Sequence, residues 1–181
     1  MTNDRTILIT GVTGQQGGAV AQALQGAGFH LRGLTRKPES ERAVALARQG
    51  VDIVKGDLDD EATLRRALAG AWGVFGVQNA GEAGPEREEA QGNRLATLAR
   101  EAGVEHYVYT SVGSAHKRTG VPHFDSKGRI EETVRGLRFP SHVICVRCSS
   151  WRTCWRPTVS RAPRWPGRSG QARRYSLEHL V

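Results

Sequence analysis

The chain has 181 residues, 38% of them hydrophobic and 24% charged, which is room for one domain with a real core. No run reaches transmembrane length and the N-terminus lacks the basic-then-apolar form of a signal peptide, so a soluble cytoplasmic protein is expected, with no membrane partner. The formal charge of +8 is uneven: residues 1–144 hold 18 Lys+Arg against 17 Asp+Glu, whereas residues 145–181 hold eight Arg against one Glu, so the basic character does not mark the folded part as a nucleic-acid binder.

The first element is a short apolar run, Thr6-Ile7-Leu8-Ile9-Thr10, followed by Gly11-Val12-Thr13-Gly14-Gln15-Gln16-Gly17-Gly18. Beyond it Val20 and Leu24 fall one helical turn apart. Strand, glycine turn and helix in that order let backbone N–H groups approach a pyrophosphate while the helix N-terminus faces its charge. Gly11 makes the tight turn, Gly14 keeps the phosphate path clear and Gly17 lets the helix pack close to the strand. Thr13, Gln15 and Gln16 are counted with them as cofactor-binding residues. A glycine triplet alone is a weak signal; its place between a buried-type strand and a helix is what gives it weight.

The second strand, His30 to Thr35, ends at Arg36-Lys37-Pro38. In a dinucleotide fold this point meets the adenosine ribose, where an acidic residue grips the 2′-hydroxyl of NAD. Here a cation pair stands instead, and an Arg fork suits a 2′-phosphate, so Arg36 and Lys37 favour NADP. Val51 to Lys55 reads as the third strand and runs into Gly56-Asp57-Leu58-Asp59-Asp60. Asp57 is placed to accept from the adenine amino group and Leu58 to cover the ring, whereas Asp59 or Asp60 suits a helix N-cap. A helix follows over Ala62 to Ala69. The fourth strand, Gly73 to Val77, brings Gln78 and Asn79 to the cleft edge, and Gly81 to Pro85 reads as a mobile loop over it.

A long helix over Glu86 to Ala102 carries Leu95, Leu98, Ala99 and Ala102 on one face and stops at Gly103. His106 to Ser111 is the fifth strand, Ser126 to Gly136 a helix with Ile130 and Val134 one turn apart, and His142 to Ile144 begins a sixth strand. Regular βαβ alternation means an α/β Rossmann fold, a doubly wound parallel sheet with right-handed crossovers, incomplete at its C-terminal side.

These pieces together resemble the short-chain dehydrogenase/reductase superfamily and, within it, the atypical NmrA-like family. The resemblance rests on GVTGQQGG, LTRKP, VKGDLDD, GVFGVQN, AREAGVEHYVYTSV and HFDSKGRIEE, which span residues 5 to 144 without a large gap. Ordinary members of the superfamily pair a catalytic Tyr with a Lys four residues later. Lys127 matches that Lys, but position 123 is His. The resemblance implies that Lys127 holds the nicotinamide ribose, that NADP is the cofactor, and that the protein is a redox sensor or regulator acting through a partner. It leaves open an NAD(P)H-dependent reductase of quinones or small carbonyls, for which Lys127, His123 and Ser111 are the catalytic candidates.

From residue 145 the patterns break. The segment 145–181 holds three of the four Trp, all three Cys (Cys145, Cys148, Cys154) and three Pro, without a sustained period. The Cys spacing lacks a zinc partner set, so no metal is expected. Trp among Arg could in principle stack and pair with nucleic acid, but no recognised binding motif accompanies it. Family members continue after the sixth strand with a run like LRP, several Phe, then MEN. Codons compatible with Cys145 to Arg156, read one base earlier, encode LRPVFFMENLLA. The expectation is therefore a one-base deletion at the Ile144 codon: a dinucleotide-binding domain over 1–144 with a sixth strand cut short, then an out-of-frame, disordered basic tail over 145–181.

Overall fold

The structure is a computed structural model that describes residues 4–117, 119–147 and 157–159. Strands β1 (Thr6–Ile9), β2 (His30–Thr35), β3 (Asp52–Lys55), β4 (Ala71–Gly76), β5 (His106–Val112) and β6 (Ser141–Arg147) form a parallel sheet. The strand β7 (Pro157–Val159) adds to its edge antiparallel to β6, and the spatial order is β3-β2-β1-β4-β5-β6-β7.

Alternation along the strands splits the core into two layers. Leu8 of β1, with Tyr107 and Tyr109 of β5, faces α3 (Glu61–Leu68), α5 (Pro85–Glu101) and α6 (Pro122–Gly136) through Leu64, Leu68, Leu95, Ala99, Ile130 and Val134. Ile7 and Ile9, with Val108 and Val143, face the other way, where α1 (Gln15–Leu24) and α2 (Glu41–Arg48) contribute Val20, Ala21, Leu24 and Leu46. Burial of both Tyr107 and Tyr109 pushes their phenols well above the ordinary tyrosine range.

The helix starts follow their local chemistry. The Asp60 carboxylate accepts from Ala62 N at 2.9 Å and Thr63 N at 3.2 Å, capping α3, while Ser40 caps α2. Pro85 and Pro122 open α5 and α6, where a missing N–H costs nothing.

Three expectations change. The Gly81 to Pro85 stretch is not simply a loop: Ala80–Ala83 forms the short helix α4, and Gly84 at φ 80° turns the chain straight into α5. The sixth strand is not cut off after Ile144 either. It continues through Cys145 and Val146 to Arg147 in register with Thr110, Ser111 and Val112, because β5 still offers unpaired backbone groups there. Burial pushes the Cys145 thiol up to about 11. Pro157–Val159, also assigned to a disordered tail, instead forms β7, because the free edge of β6 offers backbone partners to it; the rest of that segment, residues 148–156 and 160–181, lies outside the described residues.

Candidate functional site: a cleft at the sheet's switch point

The chain runs outward from β1 to β2 and β3 on one side and resumes at β4 on the other. The crevice where the direction reverses is where open α/β sheets bind ligands. A cleft of about 1040 Å³ opens there, at the C-terminal ends of β1, β2 and β4.

Its floor is the glycine turn. Gly11 has φ +59°, a conformation costly for any residue with a Cβ, and Gly14 N donates to Gly11 O at 2.8 Å. A Cβ on Gly17 would lie 2.4 Å from Gly11 O and 2.8 Å from Thr10 O, so α1 sits against β1 at a distance only glycine permits. Thr10 ties the turn to the neighbouring strand: its Oγ1 accepts from Val77 N at 2.8 Å, and its own N donates to Phe75 O at 3.0 Å. Arg42 of α2 clamps the turn from outside, donating to Thr13 O at 3.0 Å.

Gly11, Thr13, Gly14, Gln15, Gln16, Gly17, Arg36, Lys37, Asp57, Leu58, Gln78 and Asn79 all line this one cleft. The Gln78 side chain is the informative member. The residue is 5% exposed, yet neither its Nε2 nor its Oε1 has a hydrogen-bond partner among the described residues. Buried amides are almost always paired, so Gln78 is an exception in the wall of this cleft. Asp57 Oδ1 accepts from Asp59 N at 3.0 Å in a local turn.

The charged wall continues beyond what the sequence pattern picked out. Arg36 forms an ion pair with Glu82 of α4, and that partner raises its already high pKa further. Asp60 is the helix cap, whereas Asp59 serves a different purpose. It accepts from Arg87 Nε at 2.7 Å and Gln91 Nε2 at 2.9 Å, with Arg94 Nη1 at 3.4 Å, so α5 is latched to the loop after β3. Burial alone would push the Asp59 carboxyl up; Arg87, Gln91 and Arg94 outweigh it and hold it below the usual carboxylate range. Glu82, Arg87 and Gln91 line the cleft as well. No sequence signal marks them, because each reaches the cleft only through the packing of α4 and α5 beside the loop after β3.

The three catalytic candidates do not line the cleft with the rest. Lys127 Nζ sits 2.7 Å from Glu88 Oε1, a carboxylate with no exposure that also accepts from Ser126 Oγ at 2.8 Å, and it lies 5.8 Å from the Tyr109 ring centroid. Ser111 Oγ donates to Glu131 Oε1 at 2.5 Å, and Glu131 is tied in turn to Arg135 at 2.8 Å. His123, in the first turn of α6, is exposed and packs edge-on against Phe124 at 4.4 Å.

A parallel sheet with a glycine turn at its switch point and a cleft over the strand ends defines a Rossmann-type α/β protein of the dinucleotide-binding kind. Residues 3–151 match the NmrA-like family, and the chain belongs to that family. It is 33% identical over 157 residues to an NmrA-like family domain-containing oxidoreductase of Aspergillus hancockii, covering 81% of this chain and 46% of that protein. A second such oxidoreductase, from Aspergillus japonicus, is 35% identical over 142 residues, or 74% of this chain and 43% of that protein. The chain spans about half the length of the curated relatives it matches. Among solved structures, the negative transcriptional regulator NmrA in complex with NADP superposes with TM-score 0.69 at 25% identity, covering 79% of this chain and 45% of that one. NmrA has also been solved in complex with NAD, and matches at 0.70 and 26%, with coverage of 79% and 45%. Triphenylmethane reductase of Citrobacter sp., complexed with NADP(H), matches at 0.66 and 26%, covering 77% of this chain and 48% of that one.

Proposed function

We propose that this chain binds NADP(H) in the switch-point cleft and works as a redox-sensing or regulatory protein, through a protein partner, with little turnover of its cofactor. The observation that carries the reading is the buried, unpaired Gln78 amide in the same cleft as the glycine turn and the Arg36–Lys37 pair. In this reading Gly11, Gly14 and Gly17, with Thr13, Gln15 and Gln16, receive the pyrophosphate. Arg36 and Lys37 receive the 2′-phosphate, Asp57 and Leu58 the adenine, and Gln78 and Asn79 the nicotinamide side. The cofactor supplies hydride chemistry when bound; the chain positions it.

The sensing role is supported by the state of the acid–base candidates. Reduction of a carbonyl or quinone needs a proton or a strong hydrogen bond at the developing oxyanion. Ser111 is committed to Glu131, Lys127 to Glu88, and His123 lies outside the cleft lining. The second reading, a reductase, is favoured by the oxidoreductase relatives and by the reductase neighbour. Mixing the chain with NADPH and a panel of quinones and aldehydes tests the sensing role. The sensing role predicts negligible loss of reduced-nicotinamide absorbance, and robust turnover overturns it.

We also propose that residues 145–181 are read out of frame. Resequencing the locus tests this: a missing base restores LRPVFFMENLLA, and an intact frame with codons incompatible with it refutes the deletion.

A further inference from the structure

The cation placed to read the 2′-phosphate already holds an anion. Arg36 stands at the end of β2; Glu82 stands on α4, a four-residue helix after β4, on the opposite wall of the same cleft. The two side chains form an ion pair, each a little over half exposed. Two further carboxylates, Asp57 and Asp59, add to the negative surroundings of Arg36. Asp59 is engaged with Arg87, Gln91 and Arg94, and Asp57 caps its own turn, so Glu82 is the carboxylate that reaches across to Arg36.

We infer that Glu82 is a specificity-determining residue that competes with the cofactor's 2′-phosphate for Arg36. The inference rests on the assignment of NADP(H) to this cleft. A 2′-phosphate entering beside Arg36 must displace the Glu82 carboxylate or sit next to it, and like charges repel at that range. A 2′-hydroxyl makes no such demand: it donates to Glu82 while the ion pair stays closed. One side chain therefore weakens NADP and spares NAD, narrowing a preference that Arg36 and Lys37 alone would make steep.

The pair is exposed, so the competition is worth a modest factor rather than a switch. Calorimetric titration of the 181-residue chain with NADP+ and with NAD+ reads it directly, on the parent, Glu82→Gln, Arg36→Leu and the double variant. Circular dichroism confirms folding, and Glu82→Ala serves as a second probe of the same position. Glu82→Gln is expected to tighten NADP+ by about fivefold at low salt and to leave NAD+ within about twofold. In the Arg36→Leu background, the gain should shrink to about threefold or less, since only direct repulsion remains. An unchanged NADP+ to NAD+ ratio in Glu82→Gln, or equal tightening of both, overturns the competition while leaving cofactor binding in place. A parent that binds neither dinucleotide overturns the cleft assignment and the competition with it.

Discussion

Replacing Gly17 by Ala should destabilise the fold, although alanine is the better helix former. The added Cβ would lie 2.4 Å from Gly11 O, 2.6 Å from Gly11 C and 2.8 Å from Thr10 O, all backbone atoms. Cβ contacts essentially never fall under 3.0 Å, so α1 must move away from β1 by at least about 0.6 Å, the gap between the first of these and that limit. The turn cannot yield cheaply, since Thr10 N is bonded to Phe75 O and Gly14 N to Gly11 O. Overpacking of this kind costs up to about 3 kcal/mol. The helix-propensity gain returns at most about 1 kcal/mol. The net loss is about 2 kcal/mol, or a fall in Tm of about 4–8 °C for a chain of this size. Thermal and urea unfolding followed by far-UV circular dichroism measures it. Gly136→Ala is the control: its Cβ meets nothing within 4 Å, so it should be neutral or stabilising by about 0.5 kcal/mol. A Gly17→Ala chain as stable as the parent would refute the claim that close helix–strand contact requires this glycine.

Three further variants probe the cleft and its supports. Gly14→Val should abolish dinucleotide binding while leaving far-UV circular dichroism nearly unchanged, because the branched side chain fills the cleft floor at the start of α1; retained affinity would reduce the glycine run to an ordinary turn. Arg36→Asp should reverse the preference from NADP+ to NAD+, since a carboxylate repels the phosphate and accepts from the free hydroxyl; competitive titration of both cofactors checks it. Lys127→Met should lower stability by about 3 kcal/mol by leaving the fully buried Glu88 carboxylate with only Ser126 as a partner, and adding Glu88→Gln should restore most of the loss; no recovery in urea unfolding would count against the ion pair as the reason.

Most of the sheet is legible from the chain because parallel strands are buried on both faces and announce themselves as apolar runs. His30–Thr35 matches its expected bounds, and the other five parallel strands differ by only one to three residues at an end, whereas β7 lies in the stretch read as a disordered tail. The helix α2 is not legible in the sequence because its core face is only Ala43 and Leu46 while Val44 points to solvent, which is too thin a stripe to stand out. The glycine turn, the cation pair and the polar residues after β4 are legible as parts of one cleft since they occupy fixed places at the strand ends in this topology. The counter-charges are not. Glu82, Arg87 and Glu88 lie on α4 and α5, and their partners Arg36, Asp59 and Lys127 are between 28 and 46 residues away in sequence. Only packing brings them together, which is also why Lys127 reads as a cofactor ligand in sequence and as a counter-ion to Glu88 in space.

The central claim is that this cleft receives NADP(H). Titrating the 181-residue chain with NADPH and with NADH, followed by quenching of intrinsic tryptophan fluorescence and by calorimetry, tests it most directly. Saturable binding at one site per chain is expected, tighter for NADPH than for NADH, and lost in Gly14→Val. Absence of saturable binding, or binding that survives Gly14→Val, would contradict it.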